Sequence, residues 1–134
     1  MHGRCRTPVL LGLLALALAS PAHAQLASVE AGKMLLVYVD GTQSFLVPHA
    51  ARTFLNSLAA QKALFGYEPD TDISVLLLDL QDAGNASATA VPRNAVTVHV
   101  APLSYAFETI PSNERMNAIM NHELVHVVTM DQAV

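Results

Sequence analysis

Short apolar runs alternate along this chain with longer segments whose apolar residues recur every three or four positions. Lys33 to Val39 (Lys-Met-Leu-Leu-Val-Tyr-Val) is apolar and stops at Asp40-Gly41, a strong turn dipeptide, so it predicts a strand. Ser44 to Val47 reads as a second short strand returning in a hairpin. Pro48 suits the first turn of a helix, where its missing N–H is harmless. From His49 to Phe65, residues Ala51, Phe54, Leu55, Leu58 and Phe65 fall on one face of an amphipathic helix. Gly66 is its expected C-cap, and Pro69 forbids continuation.

Ile73 to Leu80 is almost wholly apolar and β-branched at its start, which fits a central strand. Gln81 to Asn94, rich in small and turn-forming residues, reads as a loop. Ala95 to Val100 alternates, with Val96, Val98 and Val100 on one face and Thr97 and His99 on the other. Pro102 to Pro111 is irregular. Ser112 or Asn113 can cap a final helix reaching to about Thr129, with Glu114 well placed at its positive end. The order strand, strand, helix, strand, strand, helix predicts an α+β domain: a small mixed β-sheet with two helices.

The first 24 residues have a different character. Arg4 and Arg6 precede an apolar run from Val9 to Ala19, and Ser20 to Ala24 ends in an Ala-x-Ala pattern. This predicts a cleaved signal peptide over 1–24 and a domain over 25–134; a membrane anchor is the other reading. The run is too short to span a bilayer, for which about 20 apolar residues are needed, so no membrane span is expected after cleavage. The expected location is exported, in the periplasm, the cell envelope or the extracellular space. The single cysteine, Cys5, falls in the leader and leaves the domain without an internal disulfide. Residues 25–134 carry five basic and eleven acidic side chains, a formal charge of −6 with His neutral. No basic stripe exists, which argues against a nucleic-acid partner.

The chemistry concentrates in Asn121 to Met130, which contains His122-Glu123-Leu124-Val125-His126. On a helix, His122 and His126 lie about 40° apart around the axis and roughly one turn along it, so both imidazoles reach one metal ion. Glu123 stands beside the first ligand, where a carboxylate can take the proton of an activated water. Leu124 and Val125 are apolar, as expected if the opposite face enters the core. Two surface histidines on an ordinary helix are the plainer alternative. Met116, Ile119, Met120, Val127 and Val128 read as core residues. His23 belongs to the leader, His49 is expected to face solvent, and His99 to be a half-buried or exposed strand residue. Asp131 lies about 140° further round than His126, too far to face the same ion, and reads as structural.

The succession ALFGYEPDTDISVLLLD, NASATAVPRNAVTVHVAP and NHELVHVVTMD resembles the peptidase MA-like, gluzincin-type zinc metallopeptidase domain of exported bacterial proteins, which often precedes a TolB-like β-propeller. The resemblance spans roughly His49 to Asp131, with a specific zinc motif and looser upstream blocks. It implies a zincin-like fold, Zn2+ as cofactor, His122 and His126 as metal ligands, Glu123 as catalytic base, and a peptide or protein as substrate. It also implies a third ligand, a Glu on a later helix. Eight residues follow His126 and none is Glu. The expectation is therefore the N-terminal part of an incomplete zincin-like domain, inactive alone, with a possible C-terminal propeller in the full-length protein. The strand from Val96 to Val100, just before the helix, is the expected place for substrate to add as a strand. Two other readings stay open: a non-catalytic binding or assembly module of the cell envelope related to metallopeptidases, and a fragment without independent function.

Overall fold

A computed structural model describes residues 25–80, 85–100 and 115–133. The proposed signal peptide, the irregular stretch after Val100 and the expected caps Ser112, Asn113 and Glu114 lie outside the described residues. The elements are β1 (Leu26–Ala31), β2 (Met34–Val39), a 3-10 turn (Ser44–Leu46), α1 (Val47–Phe65), β3 (Ile73–Leu78), β4 (Asn85–Thr89), β5 (Ala95–His99) and α2 (Arg115–Gln132). The mixed α+β architecture with two helices agrees with the sequence reading, and the sheet has five strands in the order β1-β2-β3-β5-β4.

Three elements differ from expectation. The partner of β2 in the hairpin is β1, upstream, joined through Gly32 and Lys33. Ser44 to Val47 does not return as a strand. The Asp40 carboxylate accepts from Gly41 N (2.9 Å) and from Ser44 Oγ (2.7 Å), and Val39 N donates to Gln43 Oε1 (2.8 Å), so these side chains wind the segment into a turn. Within the expected loop from Gln81 to Asn94 lies β4, antiparallel to β5. Its Asn-Ala-Ser-Ala-Thr sequence alternates in polarity but offers no large apolar residue.

β2, β3 and β5 run parallel at the centre, and the two outer strands run antiparallel to their neighbours. α1 carries the chain from β2 to β3. Pro48 sits in its first turn and Gly66 closes it with φ 66°, its N–H donating to Lys62 O at 2.9 Å. The register places Met34 and Leu36 beside Ile73 and Val75, then Val75 and Leu77 beside Val96 and Val98, on one face of the sheet. That face is fully buried under Phe54 and Leu58 of α1 and Met120, Leu124, Val127 and Val128 of α2. Leu55, expected in the core, is instead 41% exposed. It leans over the β1–β2 turn, where a Cβ on Gly32 would meet its Cδ2 at 2.9 Å.

The opposite face of the sheet carries Leu35, Val37, Leu76 and Leu78 at its centre, all half-buried. No described element covers it. The two helices therefore share one side, with α1 over β2 and α2 over β4 and β5.

Candidate metal centre

The His-Glu-Leu-Val-His segment lies in the middle of α2, and the helix sorts its residues by face. Met120, Leu124, Val127 and Val128 are buried, Met116 and Ile119 are partly buried against the same core, and His122 and His126 are exposed. These assignments agree with the sequence. Val125, by contrast, is only half-buried, so the core-facing stripe is narrower than the apolar pair Leu124 and Val125 suggested.

The two imidazoles converge. Their Nε2 atoms stand 3.1 Å apart, with ring centroids 4.8 Å apart and planes at 81°. Without an ion, this contact needs one Nε2 protonated and the other bare. It also fits a shared metal, because two nitrogens on a tetrahedral zinc at roughly 2.0–2.1 Å stand about 3.3 Å from each other. Among the described residues, no three His, Cys, Asp or Glu side chains lie close enough to hold an ion together.

Glu123 occupies the flank between the histidine stripe and the core. It is 7% exposed, the only acid buried among the described residues. No described residue donates a hydrogen bond to it.

His99 takes no part in this cluster. It pairs with Leu78 and Asn85 and points away from α2, because Val98 is the residue on the helix side. It is half-buried, and its Nδ1 has no partner among the described residues. His49 is half-buried at the start of α1 rather than fully turned to solvent. β5 is hydrogen-bonded on both sides, to β3 and β4, so the strand expected to receive a peptide has no free edge. Among the described residues, the free edge beside α2 belongs to β4. Ala86 and Ala88, on the core side of β4, are small enough to let α2 lie close to it.

Residues that the sequence did not single out hold the far end of the helix. Tyr67 donates its hydroxyl to Asp131 Oδ2 at 2.7 Å, and Asn94 donates Nδ2 to Asp131 Oδ1 at 2.9 Å. The Asp131 carboxylate beside it pushes the Tyr67 hydroxyl up to about 12, since ionisation would break the bond and set two negative charges together. Asp131 thus faces away from the histidines, as the helical angle required. Near the middle of the helix, Gln61 of α1 donates to Asn121 Oδ1 at 2.7 Å, next to His122.

No protein-family model matches the sequence, and no curated protein matches it significantly. Among the described residues no helix is long and apolar enough to cross a membrane.

Proposed function

We propose that this chain supplies the metal-binding helix and the substrate-side sheet of a zinc-dependent, gluzincin-type peptide hydrolase with a zincin-like fold. The observation that carries the reading is the pair of exposed imidazoles with Nε2 atoms 3.1 Å apart, one of them adjacent in sequence to a buried acid. His122 and His126 would hold the ion. When bound, zinc lowers the pKa of a coordinated water and polarises a carbonyl. Glu123 takes the proton of the attacking water and returns it to the departing amine. The unpaired edge of β4 orients an extended peptide through main-chain hydrogen bonds, the role assigned from the sequence to the strand that proves to be interior. The third ligand, a Glu on a later helix of a longer protein, and export of that protein complete the proposal; two imidazoles alone should hold zinc weakly.

A non-catalytic binding module is the second reading. One observation favours it: the sheet's outer face is apolar at its centre, and no described element covers it.

The deciding experiment measures zinc uptake and peptide hydrolysis in parallel. Zinc should bind the wild-type chain and be lost in His122→Ala and His126→Ala. In the longer protein, Glu123→Gln should keep the metal and lose hydrolysis. Zinc uptake without hydrolysis by the longer wild-type protein would leave the binding-module reading standing. Equal zinc uptake by the wild type and both alanine variants would sink the metal site.

A further inference from the structure

The last turn of a helix is a poor place for an acid. Its free carbonyls give that end negative character, and a carboxylate there is repelled. Asp131 nevertheless occupies that turn of α2, and the turn carries no basic residue. What holds it comes from elsewhere in the fold, the Tyr67 hydroxyl and the Asn94 side-chain amide.

Asn94 is the more constrained of the two donors. It is 1% exposed and lies in the connection between β4 and β5. Its backbone carbonyl accepts from Ser74 N at 3.0 Å, and its Nδ2 also reaches Thr71 Oγ1 at 3.2 Å. One buried residue therefore ties together the β4–β5 hairpin, the entry to β3 and the end of α2.

We propose that Asp131 and Asn94 are a positioning pair that fixes how far the histidine-bearing helix stands from the edge strand. The proposal rests on the zinc and β4 readings given above. α2 meets β4 across Ala86 and Ala88, and apolar contact of that kind is non-directional, so it does not by itself hold a helix at one rotation or height. A buried, directional hydrogen bond does. His126 lies only a little more than a turn before Asp131, and its carbonyl already takes the Thr129 hydroxyl at 3.2 Å. Loosening of the last turn reaches the second ligand directly.

The test is a reciprocal exchange in the full chain. Asn94→Asp sets two carboxylates face to face, and Asp131→Ala removes both acceptors. The double variant Asn94→Asp with Asp131→Asn reverses the polarity of the bond: the new amide donates to the new carboxylate, Thr71 donates its hydroxyl in turn, and Tyr67 still finds an acceptor. Zinc affinity is read by competition with a chromophoric chelator, and hydrogen–deuterium exchange is followed in β4 and in the last two turns of α2. Each single variant should weaken zinc about five- to tenfold and speed exchange in both segments, and the double variant should recover both. Single variants that melt earlier but leave zinc affinity and β4 exchange unchanged would reduce the pair to a stability contact. So would a double variant that stays as impaired as Asn94→Asp. If the wild-type chain takes up no zinc, the metal reading fails by itself, and the exchange pattern alone decides the pair: β4 exchange equal in wild type and Asn94→Asp overturns it.

Discussion

Gln61, buried on α1, gives its side-chain N–H to Asn121 Oδ1 at 2.7 Å, and so ties the backing helix to the residue preceding the first histidine. The same amide leaves its Oε1 buried and without a partner among the described residues. A buried carbonyl without a donor costs about 1–3 kcal/mol, more than the roughly 0.5–1.5 kcal/mol that an ordinary hydrogen bond contributes. Gln61→Met should therefore be neutral or more stable by about 1 kcal/mol, because the exposed Asn121 can turn to water. Denaturant melts decide it. A loss above about 2 kcal/mol for Met, approaching the cost of an Ala cavity, would mean that Oε1 has a donor after all.

Two of the three left-handed glycines among the described residues separate backbone strain from steric overlap. Gly66 at φ 66° has open space where a Cβ would go, so Gly66→Ala should cost only the backbone term, about 1 kcal/mol. Gly32 at φ 58° would add a contact of 2.9 Å with Leu55 Cδ2. Gly32→Ala should be worse than Gly66→Ala, and the difference should shrink when Leu55 is also cut to Ala. Equal losses in the two single variants would refute the close approach of α1 to the β1–β2 turn.

Tyr67 links stability to alkaline pH. Its proton is retained in the fold up to about 12, against 10.0 in the unfolded chain. Its contribution is therefore complete below pH 10 and is lost as pH rises through about 12. Denaturant melts across this window should show falling stability in wild type and a flatter profile in Tyr67→Phe. The tyrosinate absorbance that disappears in Tyr67→Phe should be the part that develops near pH 12. An unchanged slope in the Phe variant would assign the alkaline loss to other groups.

Large apolar residues made the centre of this fold legible. β2, β3, β5 and both helices each bury a stripe of Leu, Val, Ile, Met or Phe, and periodicity finds such stripes. β1 and β4 were harder because they are edges: each buries only one face, and β4 does so with alanines. Its period-two pattern was present in Asn85 to Thr89, but small side chains carry little signal of burial. The turn after Asp40 was misread because side-chain hydrogen bonds from Asp40, Gln43 and Ser44 decided it. Of the candidate site, His122 and His126 were visible because one helical turn dictates their proximity. The burial of Glu123 and the bonds from Asn94 and Tyr67 to Asp131 were not, since they join residues 37 and 64 positions apart.

The strand order also shapes how the molecule must assemble. β1–β2 and β4–β5 are local antiparallel hairpins, whereas the parallel seams at β2–β3 and β3–β5 each join segments separated by another whole element. Closing those seams carries a larger loop entropy, so they should form later than the hairpins. Pulse-labelled exchange during refolding should protect β1–β2 and β4–β5 first. β3 is then a late-fitting plank between two ready-made pieces, and only once it is in do the strand under α1 and the strands under α2 become one floor.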